Sequence, residues 1–248
     1  MEHNLKSLIG SNIEATDGEI GKIEALYFDD KSWDIRFLVV KTGSWLFGRS
    51  VLISPVALLK TKWDGSGIPV NLTKEQVSNS PGTDMHKPVS RQHEMELYEH
   101  YSWQPYWSSG FYAGGLWGVM PPAPLFDERI KPDVDTGSNA ADKKGDLHLR
   151  STEQVTGYHI QASDGEIGHV NDFIIDDNTW QILYFVIDTN NWIGGKKVLV
   201  AVENIKDIIW EESKIILDLS IQTVKDCSLF DESKFDYAEG THSTAANS

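Results

Sequence analysis

Apolar and polar residues alternate along this chain in short bursts. Residues 10–15, 20–28, 33–42, 51–53, 58–62 and 68–72 are rich in β-branched and aromatic side chains and are separated by turn-forming residues, so six strands are expected. In the third run Ile35, Phe37 and Val39 alternate onto one face, as the interior of a small sheet requires. Leu38 and Val40 on the opposite face are also apolar, so that outer strip needs a cover. Asp17-Gly18 is a tight-turn signal, because glycine tolerates the positive φ that primed turns demand. Thr73-Lys74-Glu75-Gln76 has the form of a capping box and predicts a short closing helix. A longer helix is expected over residues 90–101, with Met95, Tyr98 and Tyr101 on its apolar side.

The whole pattern then recurs. At a constant offset of 147, Asp17-Gly18-Glu19-Ile20-Gly21 becomes Asp164-Gly165-Glu166-Ile167-Gly168, Asp29-Asp30 falls on Asp176-Asp177, Trp33 on Trp180 and Trp45 on Trp192. About a third of residues 10–77 are identical in 157–224 with no gap, so the chain is an internal duplication. Ile182, Tyr184 and Val186 repeat the inner face of the third strand, and Phe185 and Ile187 repeat its outer strip. That strip is expected to be where one unit meets the other or the connector. The organisation read from this is a first unit over 1–80, a helix, aromatic and Gly-rich connector and polar linker over 81–150, a second unit over 151–237, and a small polar tail over 238–248, expected to be disordered. A unit of this size buries only about 60% of its unfolded surface and is marginal alone, so apolar area should be shared between the copies.

Charge separates what the pattern joins. Residues 1–80 carry 10 acids and 9 bases, whereas residues 151–248 carry 17 and 6. An excess of −11 repels nucleic acid, which leaves only the first half able to meet RNA phosphates. Cys227 is the single cysteine, so no internal disulfide is possible. No run approaches the roughly 20 apolar residues that span a bilayer, and a cytoplasmic location is the expectation.

Candidate chemistry is sparse. The acids of the matched turns offer oxygen ligands without the spacing of a calcium loop, and turn formation explains them. His93, Glu96 and His100 align on one side of the expected helix but have no counterpart in the other copy, and a solvated face explains them. No catalytic triad order, phosphate-binding loop or paired cysteine motif occurs, so the chain is expected not to be an enzyme, and no cofactor or metal is implied. What remains is recognition. Trp45 with Arg49, and Trp192 with Lys196 and Lys197, place an aromatic beside a base next to a glycine, a combination suited to contacting a partner. The connector concentrates Trp103, Trp107 and Trp117, residue types that dominate interface energies, although covering the outer strips would use them equally well.

The residues carrying the repeat resemble the PRC-barrel family, which includes the photosynthetic reaction-centre H subunit and the ribosome-maturation factor RimM. Gly10 with Asp17 to Ile23, Leu38-Val39-Val40 before Trp45 to Arg49, and Val51-Leu52-Ile53-Ser54-Pro55 carry the likeness, as do Gly157, Asp164 to Val170, Trp192 to Lys197 and Val198-Leu199-Val200 in the second copy. The resemblance implies a mainly β protein of two small antiparallel barrels with short closing helices, joined by the connector. It also implies a macromolecular binding or assembly module with a protein or complex as partner, compatible with a homo-oligomer. RNA or ribosome maturation like RimM, or assembly of a membrane electron-transfer complex like the H subunit, are the alternatives. Neither the membrane helix of the one nor the separate amino-terminal barrel of the other is expected from these 248 residues.

Overall fold

The computed structural model describes residues 1–59, 67–81, 91–103, 148–189 and 195–235. In the first unit β2 (Asn12–Ala15), β3 (Gly18–Asp29), β4 (Ile35–Thr42) and β5 (Ser50–Ile53) form an antiparallel meander, and β6 (Ile68–Pro69) lies beside β2. The second unit repeats it with β8 (His159–Ala162), β9 (Gly165–Asp176), β10 (Gln181–Asp188), β11 (Lys197–Ala201), β12 (Ile205–Ile209) and β13 (Lys214–Leu217). Helices α2 (Lys74–Ser78) and α5 (Ile221–Lys225) close the two units, and Thr73 with Gln76 forms the expected capping box.

The expectation of closed, purely antiparallel barrels needs correction. Strand β6 runs parallel to β2, and β13 runs parallel to β8, so both sheets are mixed. The hydrogen-bonded path ends at β5 and β6 in the first sheet and at β11 and β12 in the second, without closing. In the second unit β13 turns back from β12 through Trp210–Glu212 and pairs with it antiparallel, which leaves its other edge to meet β8, a strand distant in sequence and so free to run parallel to it.

Matching glycines set the close approach of strands in each unit. A Cβ on Gly21 would lie 1.9 Å from the Lys41 carbonyl oxygen, and one on Gly168 would lie 2.0 Å from that of Asp188. No side chain fits at either place, which explains the glycine in both copies.

The units are interlocked by exchanged segments. Strand β1 (Glu2–Asn4), at the start of the chain, pairs with β9 of the second unit, and helix α1 (Leu5–Leu8) packs on the same strand. Reciprocally, β7 (Leu149–Ser151) pairs with β3 of the first unit, and α4 (Thr152–Val155) packs there. Each repeat thus completes its neighbour with the segment that precedes its own first long strand. Where β4 and β10 begin, the Ile35 amide donates to the Trp180 carbonyl at 2.7 Å and the Ile182 amide donates to the Trp33 carbonyl at 2.9 Å, two bonds related by the repeat offset. Phe28, Trp33, Phe173 and Phe185 fill the seam, with Trp33 stacked on Phe28 (5.9 Å) and edge-on to Phe185 (5.5 Å), and Phe173 edge-on to Phe185 (4.8 Å). Phe28, Phe173 and Phe185 are fully buried, which supplies the shared apolar area that two marginal units need.

In the first unit α3 (Arg91–His100) adds a cover the second unit lacks among its described residues. Its buried side is Glu94, Leu97 and Tyr98, continued by Tyr101, while Met95 is exposed, contrary to the expected apolar side. Tyr98 meets Phe37 edge-on at 6.3 Å. Leu38, Val40, Phe185 and Ile187 are all buried, and Phe185 lies at the seam as the outer strip requires.

Candidate functional site

The aspartates of the matched turns are each bonded within the chain. Asp17 accepts the Lys74 amide at 2.8 Å and Asp164 accepts the Ile221 amide at 2.7 Å, so each first hairpin caps the opening turn of its closing helix. Burial alone would push the Asp29 carboxyl up, but the amides of Ser32 and Lys31 and the Arg36 guanidinium overcome it and hold the group below its ordinary range. Asp176 accepts from the Asn178 amide in the matching turn. The next acid of each pair serves the exchange. His148 Nδ1 and Arg150 Nε donate to Asp30 at 2.9 and 3.2 Å, while the Met1 ammonium and His3 Nε2 donate to Asp177. Arg150 also lies 3.8 Å over the Trp210 ring, so one guanidinium joins an acid of the first unit to an aromatic of the second.

Asp172 has no acidic counterpart, since its repeat partner is Ala25. Its Oδ1 accepts the Phe173 amide at 2.8 Å and the Lys6 amide of the exchanged α1 at 3.2 Å. Burial pushes its carboxyl up to about 6, against the opposing pull of those amides and of the Lys6 and Lys197 charges.

The turn between β4 and β5 holds Trp45 and Arg49 as parts of the scaffold. The Trp45 indole N–H donates to the Ile20 carbonyl at 2.7 Å, and the Lys74 ammonium sits 4.6 Å from the ring. Arg49 directs its guanidinium to the carbonyls of Ser78, Ser80 and Pro81 and to the Ser80 hydroxyl, binding the end of α2. The Arg49 carbonyl accepts from the buried Thr42 hydroxyl at 2.7 Å, and the Lys196 carbonyl accepts from Thr189 at the same distance, so both copies close this turn alike. Lys196 is exposed, and Lys197 lies in β11 opposite Asp188. Trp103 stacks on Tyr101 at 4.3 Å and meets Tyr98 edge-on, as part of the cover that α3 lays on the first unit. Trp107, Trp117 and Trp192 lie outside the described residues, as does the His93 side chain. His100 Nε2 donates to the Gln76 carbonyl at 2.7 Å, tying α3 to α2. Among the described residues no three His, Cys, Asp or Glu side chains converge as a metal site, and no helix is long and apolar enough to cross a membrane.

The group this turn presents outward is Phe47, which the aromatic-plus-base pattern does not single out. It is 98% exposed and adopts φ 55°, a left-handed conformation that disfavours a bulky side chain. At the same register the second copy carries Gly194, the residue such a backbone suits. That contrast is the sequence signal for it. The strands leading into the turn differ in the same way. Exposed Lys22 and Lys41 stand directly opposite each other in the first unit, whereas His169 faces Asp188, and Asp188 faces Lys197, in the second.

The model of one protein family, described as the PRC-barrel domain, matches residues 1–77 and 154–220, more than half of the chain. No curated protein matches the chain.

Proposed function

From the premise that this chain belongs to the PRC-barrel domain family, with two matched segments in tandem, we propose that it is a non-enzymatic binding and assembly module whose two units act as one body. The observation that carries this reading is the division between what the copies share and what they do not. Shared residues serve the scaffold: Gly21 and Gly168, Asp17 and Asp164, Thr42 and Thr189 perform the same structural task twice. The differences fall on exposed ends, where Phe47 and a lysine pair replace glycine and a neutralised ladder. Scaffold residues explain their own presence, and a solvent-facing aromatic held in a left-handed backbone supports a role outside the scaffold.

A cytoplasmic partner of protein character fits this reading best. Arg49, on which a phosphate-binding role would rest, is engaged with main-chain carbonyls of its own unit, which weighs against a RimM-like contact with RNA through that residue. The test is affinity capture from cells with the intact chain, compared with the Phe47→Gly and Lys22→Glu/Lys41→Glu variants. Partners lost from both variants but held by the parent support the reading. Equal retention by all three, or a catalytic turnover abolished by one Asp or His substitution, would overturn it.

A further inference from the structure

The two exchanged arms do not grip their units by the same chemistry. We propose that the leading arm, β1 with α1, is a pH-sensitive latch, closed on the second unit in acid and loosened toward neutral pH through the carboxyl of Asp172.

The repeat supplies the comparison. In the first unit the Leu26 amide donates to the Thr152 hydroxyl of α4 at 3.2 Å, and that hydroxyl donates to the Leu26 carbonyl, so a neutral group ties the arm to β3. Nothing in that joint ionises. At the matching register of the second unit the Phe173 amide turns to Asp172 Oδ1 at 2.8 Å, and the same oxygen accepts the Lys6 amide of α1 at 3.2 Å. An ionisable group has taken the place of a hydroxyl. Leu5 stands where α4 carries Thr152, and Ala25 stands where β9 carries Asp172, so the polar link comes from the arm in one unit and from the strand in the other.

Burial decides the direction of the response. Asp172 is buried at its contact with the arm, and burial pushes its carboxyl from 3.8 up to about 6, past the pull of the two amides and of the Lys6 and Lys197 charges. Lys6 of α1 and Lys197 of β11 are the charges that face it. β10 sets the uncharged Val186 opposite Asp172, with its Tyr184 and Asp188 opposite Ile174 and His169 instead. In β1 Glu2 lies opposite Asp176 and His3 reaches Asp177, while β8 pairs with residues 165–169 of β9 and α5 meets the chain at Asp164. A closed arm therefore holds the proton more tightly than an open arm that lets water reach the carboxyl. Closure is favoured in full below about pH 4, and the advantage is lost as pH rises through about 6.

Loosening changes an edge. Among the described residues β1 is the ladder partner of β9 on one side of Ile174–Asp176, and the Asn4 amide also holds the Phe235 carbonyl at 2.9 Å. Release leaves that side of β9 unpaired and frees the end of the second unit from the arm.

Two amides related by the repeat offset report the two arms. Asp177 donates to the Met1 carbonyl and Asp30 to the His148 carbonyl, each at 2.9 Å. Each arm also places a histidine on that same acid, His3 on Asp177 and His148 on Asp30, and Glu153 of α4 is exposed. Asp177 raises the Met1 ammonium above its ordinary 8.0, so it stays charged below neutral pH. Asp172 is what sets the arms apart.

The experiment is amide hydrogen exchange of the full chain, read residue by residue by NMR from about pH 4.5 to 7.5, in the parent and in Asp172→Asn. In the parent the protection of Asp177 relative to Asp30 should fall by roughly five- to twentyfold over that range, and in Asp172→Asn the ratio should hold constant. The parent series decides the matter even where the variant folds poorly, because the second arm is its internal control. Equal losses at Asp177 and Asp30 would place the effect on the whole fold and overturn the latch. A ratio that does not change with pH in the parent, or that falls as steeply in Asp172→Asn, would overturn it as well.

Discussion

Replacing Asp172 with asparagine should remove a pH dependence of stability that the parent carries between about pH 4 and pH 6. The carboxyl is buried at the junction of β9 with the exchanged α1, and its Oδ1 accepts the Phe173 and Lys6 amides. Burial raises it from 3.8 to about 6 in the folded protein. A raised folded-state value means that the folded chain holds the proton more tightly than the unfolded chain. The associated stabilisation is therefore complete below about pH 4, is lost as pH rises through about 6, and is absent above that. A difference of about two units corresponds to about 3 kcal/mol, an upper figure because the Lys6 and Lys197 charges respond to the surroundings. Asparagine keeps an oxygen for both amides but never ionises. Urea unfolding of parent and Asp172→Asn at half-unit steps from pH 4 to pH 8 isolates the effect, since every other titrating group is common to both. The variant should gain about 2–3 kcal/mol relative to the parent on going from pH 4 to pH 8. A difference that is flat with pH, or one in which the parent gains as pH rises, would contradict a carboxyl that burial holds protonated.

Three further outcomes follow from the packing. Gly21→Ala and Gly168→Ala should each destabilise by about 3 kcal/mol or more in thermal unfolding, because the added Cβ would lie within 2.0 Å of a backbone carbonyl oxygen; a loss under about 1 kcal/mol would mean that the strands separate easily there. Thr152→Val should destabilise by about 1–3 kcal/mol, since the Thr152 hydroxyl both accepts the Leu26 amide and donates to the Leu26 carbonyl in a buried position, and denaturant melts would read the loss directly. Phe47→Gly should stabilise the isolated chain by about 1 kcal/mol by relieving a left-handed backbone, with a lower melting temperature as the contrary result.

The long strands were legible because their apolar runs recur at the repeat offset: Ile35, Phe37 and Val39 are buried, as are Ile182 and Val186, whereas Tyr184, beyond a register shift, is only partly buried. The exchange was not legible. Strands β1 and β7 are three residues each, too short for a period of their own, and β1 pairs with residues 170 to 174 positions away. The parallel pairing of β6 and β13 was hidden for a related reason, since it joins each to a strand distant in sequence and does not follow from the residues within the strand. Met95 read as apolar surface facing inward, yet the helix turns Glu94 and Leu97 to the core instead. Around the candidate site, an arginine beside a tryptophan looks the same whether its guanidinium meets a partner or the carbonyls of Ser80 and Pro81. Phe47 had a signal only in the comparison of copies, where glycine stands at the position that Phe47 holds at φ 55°.

Each repeat is completed by the leading segment of the other, so that the halves form one body. A specific protease site placed within residues 104–147 of the full chain allows the covalent link to be cut after folding. After complete cleavage the two fragments should co-migrate in native size exclusion at the mass of the uncut chain, and separate only on denaturation. Fragments that part under native conditions, each still folded, would contradict the interlock.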